Sequence, residues 1–116
     1  MNTGGTQTLS SGLYFDLHVD YVRRQIAVEG GLDVACAPNL ATAVAGLQRA
    51  SAGDITIRLD RVTFLDMAGL GILVGAQASQ TDRGFGLSVT GVNPQVRRIF
   101  LLGGLTHLLA KDEPVK

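Results

Sequence analysis

The spacing of apolar residues changes period repeatedly along this chain, and that alternation restricts the folds open to it more than any other feature. Leu13, Phe15, Leu17 and Val19 fall at every second position, the pattern of a strand with one buried face. His18 then points to the polar side. A second strand is predicted over Arg24 to Glu29, with the hairpin turn near Tyr21 to Arg23, and the Gly30-Gly31 pair is expected to end it. From Pro38 the period lengthens: Leu40, Val44 and Leu47 recur at helical spacing behind a proline suited to a first turn. Asp54 to Asp60 returns to alternation through Ile55, Ile57 and Leu59, and Val62 and Phe64 are expected to carry the apolar pattern on into the core.

The same alternation continues in the second half. Leu70, Leu73, Val74 and Gln77 define one stripe of a helix predicted over Met67 to Asp82, with Gly75 and Ala76 permitting close packing and Gly84 stopping it. Phe85, Leu87 and Val89 give a fourth strand. Asn93 and Pro94 are a cap and first position for a last helix whose shared face holds Val96, Ile99, Phe100 and Gly103. Arg97 and Arg98 interrupt that stripe and are expected to face solvent. Strands alternating with helices imply an α/β domain with a mixed, mostly parallel sheet of four to five strands and helices packed on it. Only the first strand pair is expected to be antiparallel.

Composition narrows the functional classes. A chain of 116 residues accommodates one core, and the division expected is a flexible tail over 1–12, one domain over 13–112 and a frayed end over 113–116. Aromatic residues make up 5%, which argues against stacking platforms for single-stranded nucleic acid. Lys+Arg and Asp+Glu are both 10, and no basic stripe stands ready to neutralise phosphates. Direct nucleic-acid binding is therefore not expected. The single cysteine, Cys36, has no partner for an internal disulfide and no histidine or cysteine at metal-ligand spacing, which fits a reducing, cytoplasmic setting. The first residues lack a basic region followed by an apolar run, and no apolar stretch reaches the roughly 20 residues of a spanning helix, so no membrane insertion is expected.

Chemistry is most concentrated where the third strand meets the second helix, at Phe64-Leu65-Asp66-Met67-Ala68-Gly69-Leu70-Gly71. Asp66 is placed to accept hydrogen bonds from the first free amides of that helix, and a cap is by itself a sufficient reason for an aspartate there. Asp33 and Asp66 are both expected near one sheet edge. No histidine, activated serine or third acid completes a hydrolytic set with them, so no enzyme activity and no catalytic residue are expected. Gly69-Leu70-Gly71 lacks the third glycine of a dinucleotide loop, where Val74 stands, and no P-loop sequence is present. No cofactor or metal is expected. Cys36 reads as a small core residue and His107 needs no special role.

Two segments, with the order of elements, resemble STAS domains of the anti-sigma factor antagonist type. The junction above is similar to the family's Asp-Ser-Ser/Thr-Gly-Leu, and Gly30-Gly31-Leu32-Asp33 is similar to its Gly-Glu-Leu-Asp, with glycine in the glutamate position. The resemblance implies a protein-binding switch module regulating a sigma factor by binding an anti-sigma factor of the ATPase kinase type. It also implies that the partner docks on Asp33, Asp66, Met67, Ala68, Gly69 and Leu70. In the family the hydroxyl residue before the glycine accepts a phosphoryl group that releases the partner. Ala68 holds that place here and has no oxygen to phosphorylate; Thr63 is the nearby hydroxyl that could take over. The family also contains anion-transporter domains and small partners of lipid-transport ATPases, so an accessory subunit of a membrane transport ATPase is the alternative.

Overall fold

A computed structural model describes residues 4–8 and 14–110. Five strands form one sheet in the order β1 to β5: β1 (Gly4–Thr8), β2 (Tyr14–Asp20), β3 (Gln25–Leu32), β4 (Ile55–Leu65) and β5 (Leu87–Thr90). Helices α1 (Ala37–Ala50), α2 (Met67–Asp82) and α3 (Pro94–Leu102) are interleaved with the last three strands, and a 3₁₀ turn, Thr106–Leu108, follows. β3, β4 and β5 are parallel neighbours, while β1 with β2 and β2 with β3 are antiparallel. The α/β class and the mixed sheet are as the periodicity indicates, with one more antiparallel pair than expected.

That extra pair corrects the reading of residues 1–12 as a flexible tail. Gly4–Thr8 pairs residue for residue with His18 back to Tyr14, giving the outer edge of β2 partners for its backbone groups. Gly, Thr and Gln carry no apolar alternation, so nothing in the period marks this strand. Residues 1–3 and 9–13 lie outside the described residues, as does the expected frayed end over 113–116.

Buried residues from the inner face of the sheet and from all three helices join one core. Phe15, Ile26, Leu40, Leu47, Ile57, Leu73 and Phe100 are fully enclosed in it. The opposite face is polar, with His18, Arg58, Asp60 and Arg61 exposed. The shortest dimension, 20 Å, is that of a single sheet with a single helix layer, each about 10 Å thick.

The inner residues of β4 are Ile55, Ile57, Leu59, Val62 and Leu65. Their spacing changes from two to three because β4 carries an extra residue against Ala27/Glu29 and another against Gly30/Gly31. Each such bulge reverses which face the following residues present. Phe64, expected to continue into the core, is consequently 46% exposed. The glycine pair likewise does not end β3, which continues through Gly30 and Gly31 to Leu32. Gly30 has φ +93°, and a Cβ there would run into the Tyr14 carbonyl, so glycine is what lets β2 and β3 close up.

On α2 the buried stripe is Leu70, Leu73, Ala76 and Gln80. Val74 is 37% exposed, and Gln77 is only half-buried, so the apolar stripe read from sequence is rotated from the observed one. Gln80 is fully buried and its amide is used completely. Nε2 donates to the Gly53 and Gly86 carbonyls, both at 2.9 Å, and Oε1 accepts from Gln48 Nε2 at 3.1 Å. One side chain thus ties α2 to α1 and to the turns that lead into β4 and β5. At the same end Arg24, at φ 56°, donates to the Leu47, Ser51, Gly53 and Asp54 carbonyls, closing the C-terminus of α1.

Gln80→Leu keeps the volume but removes three hydrogen bonds at once, while the Gly53 carbonyl keeps Arg24, the Gly86 carbonyl keeps the Ile55 amide and Gln48 keeps Ser79. The expected cost is about 1–3 kcal/mol, read as a lower urea midpoint with an unchanged slope.

Candidate protein-docking site

β3 and β4 run side by side to the same end of the sheet, where Leu32 pairs with Leu65. Each then turns into a helix, and the two turns hold the residues singled out in sequence. Asp33 follows β3 and is buried, at 8% exposure. Its Oδ1 accepts from the Ala35 and Cys36 amides at 3.0 and 3.1 Å, and its carbonyl accepts from Ala37 N at 2.8 Å. Asp66 follows β4 in extended conformation, and its Oδ1 accepts from Gly69 N at 3.0 Å. Asp66 thus satisfies an amide at the start of α2 that has no partner within the helix, while Asp33 fixes the turn that leads into α1.

The start of α2 is pressed against the end of β3. A Cβ on Gly69 would run into the Leu32 carbonyl and stand 2.8 Å from Leu65 Cδ1. The Asp66 amide donates to that same Leu32 carbonyl at 3.4 Å. Glycine at 69 is thus required for the close approach of α2 to β3, and not for any special backbone angle.

Cys36 lies fully buried at the start of α1. Burial pushes its thiol up to about 11, the Asp33 carboxylate reinforces this through a side-chain hydrogen bond and its charge, and the charge of Asp66 adds to it. The two aspartates thus share one electrostatic neighbourhood. The thiol is neutral and a poor nucleophile at physiological pH, since reactivity belongs to the thiolate.

The six residues expected to contact a partner divide by exposure. Met67 is 77% exposed; Asp66 and Ala68 are half-buried; Asp33, Gly69 and Leu70 are buried. Leu70, expected on the surface, packs into the core and lies 3.7 Å from the place of a Cβ on Gly103, beside the end of α3. The last three therefore build the platform, and Met67, Ala68 and part of Asp66 are what a partner can reach. Two apolar side chains not singled out in sequence are exposed at the same end: Val34, at 71%, just after β3, and Phe64, at 46%, just before Leu65 and Asp66. Val34 was legible only as an apolar residue directly after a capping aspartate, in a turn with no core to face. Of the two arginines expected in solvent, Arg98 is exposed and Arg97 half-buried.

The start of α2 carries an apolar, solvent-facing rim formed by Val34, Phe64 and Met67, the kind of surface through which macromolecules make contact. The fold and this junction are those of a STAS-type α/β domain. The chain belongs to the family described as Mlab, STAS domain, which it matches over residues 17–110. It is 29% identical over 89 residues to an anti-sigma-B factor antagonist of Staphylococcus aureus, covering 77% of this chain and 82% of that one. Among solved structures it resembles the unphosphorylated anti-sigma factor antagonist SpoIIAA, at a TM-score of 0.67 and 20% identity over 83% of this chain and 85% of the other. An anti-sigma factor antagonist from Mycobacterium paratuberculosis aligns at a TM-score of 0.65 and 24% identity, covering 89% and 87%. Among the described residues, no helix is long and apolar enough to cross a membrane.

The raised thiol gives a testable pH dependence. The unfolded thiol ionises near its ordinary 9.0 and the folded one near 11, so the contribution of Cys36 is fully present below 9.0 and is lost as pH rises through the folded value. Urea midpoints of the native chain should fall over this alkaline window more steeply than those of Cys36→Ala. Equal slopes would show that the thiol does not couple to folding.

Proposed function

We propose that this chain is an anti-sigma factor antagonist-like binding module that engages an anti-sigma factor of the ATPase kinase type in the cytoplasm, freeing a sigma factor without chemistry of its own. The observation that carries this reading is the rigid, solvent-facing start of α2. Met67 projects from a helix N-terminus whose position is fixed by Asp66 and by the close approach of Gly69 to Leu32. Similarity to anti-sigma-B factor antagonists supplies the class of partner.

The place corresponding to the family's phosphate acceptor is Ala68, half-buried beside Met67. With no hydroxyl, that position holds the module in its partner-binding state. A phosphate there would bring about two negative charges to the neighbourhood of Asp33 and Asp66, whose carboxylates both act on Cys36. Repulsion of that kind accounts for release in relatives that carry the hydroxyl and is denied to this chain. Met67 supports constitutive binding in a second way, because its flexible, polarisable side chain adapts to apolar partner surfaces.

Capture from lysate of the source organism tests the reading. The native chain should recover an anti-sigma factor kinase. Ala68→Glu and Met67→Asp, both at accessible positions, should weaken recovery at least about tenfold, a typical loss on placing a charge in an apolar contact. Circular dichroism of each variant should match the native spectrum. Equal recovery by the native chain and both variants would place the contact on another surface. Recovery of a membrane transport ATPase in place of the kinase would establish the accessory-subunit alternative.

A further inference from the structure

The helix-free face of the sheet holds a cluster that the docking reading leaves unused. Asp16 and Glu29 are direct partners across the antiparallel β2 and β3 pair, and His18 lies two residues beyond Asp16 on the same face. One donor atom from each of the three lies within 4.8 Å of the others. Asp16 is only 5% exposed although it faces away from the core. His18 Nε2 stands 2.8 Å from Asp16 Oδ2, and Tyr14 donates its hydroxyl to the same oxygen at 3.1 Å.

Two carboxylates facing each other across a strand pair repel, and burial of one of them strengthens that repulsion. Around Glu29 the cationic side chains are loosely held or engaged elsewhere. Arg61 reaches Glu29 only at 3.6 Å and is 76% exposed. Arg58 is held by Asp60 through two hydrogen bonds, at 3.2 and 2.8 Å, and its guanidinium keeps Asp60 below the usual carboxylate range. His18 and Glu29 open onto a groove of about 710 Å³ that these charged residues border, so an ion can enter from solvent.

We propose that Asp16, His18 and Glu29 form a site for a divalent cation of the zinc class on the open face of the sheet. One imidazole with two carboxylates is a donor set that suits zinc better than magnesium or calcium, which prefer oxygen alone. Ligand atoms on one tetrahedral zinc stand about 3.3 Å apart. The His18 and Asp16 atoms are already near that spacing, and the long Glu29 side chain closes the remainder once Arg61 swings outward. In the tautomer that donates to Asp16, the proton shifts by way of solvent from Nε2 to Nδ1, so that a neutral imidazole offers Nε2 to the metal. Tyr14 then remains to orient the Asp16 carboxylate from behind. Bound metal would clamp β2 to β3 on the face opposite the core and stabilise the fold by mass action.

Titration of chelator-stripped protein with ZnCl₂ or MgCl₂, by calorimetry and thermal unfolding, tests the site. The native chain should take up one zinc ion with a raised melting temperature and respond far less to magnesium. His18→Ala and Glu29→Gln, both at positions that reach solvent, should lose zinc affinity roughly tenfold or more while keeping the native circular dichroism spectrum. His107→Ala should bind as the native chain does. Zinc binding unchanged in His18→Ala, lost in His107→Ala, matched by magnesium or absent from the native chain would each overturn the proposal.

Discussion

Everything at the candidate site depends on one close approach, that of the α2 backbone at Gly69 to the last carbonyl of β3, at Leu32. The contact leaves no room for a Cβ, so it sets both the angle at which α2 leaves the sheet and the distance between the starts of α1 and α2. Asp66 caps the helix in that position, Asp33 organises the neighbouring turn, and buried Cys36 completes it. A methyl group at 69 would have to push α2 away from β3, and overpacking of this kind typically costs about 1–3 kcal/mol. Buried Leu70 and Leu73 next along the helix would shift with it. The signature residues at 33, 66, 69 and 70 are therefore chiefly those that hold the junction, and the residues that meet solvent are those between and beside them.

Opposite ends of the domain are built by different means. At the docking end, short polar side chains bind local amides and leave an apolar rim formed by Val34, Phe64 and Met67. At the other end, Gln80 and Arg24 reach across the chain to carbonyls that precede β4 and β5. The long-range polar bonds fix the packing of α1 against α2 from behind, so that the solvent-facing end needs little mobility to present a surface. A rigid surface loses less entropy on association, which suits the proposed binding role.

Much of this was legible in the sequence because period and face are coupled. Phe15, Leu17 and Val19 in β2, Leu40, Val44 and Leu47 in α1, and the Asn93-Pro94 start of α3 lie where their spacing puts them. The misreadings have physical causes. Two bulges in β4 shift the inward parity, turning Phe64 outward, and a bulge has no side-chain signature. Gly30 and Gly31 read as a stop, although the positive φ at Gly30 serves close strand pairing within β3. Gln80 replaces an apolar residue on the buried stripe because its amide finds three hydrogen-bond partners, which no period can reveal. Gly4–Thr8 pairs with β2 although its sequence carries no apolar alternation. At the site, Asp66 as a cap was readable from its place before a helix, whereas the burial of Leu70 and the exposure of Val34 depend on how α2 sits against β3 and α3.

As proposed, the junction at Ala68 binds its partner without a phosphorylation switch. The most direct measurement is the affinity of the purified chain for its anti-sigma factor before and after long incubation of the two with ATP and magnesium. The same affinity is expected in both cases, with no phosphate on the recovered chain. A large loss of affinity accompanied by phosphate on the chain, at Thr63 or elsewhere, would contradict it.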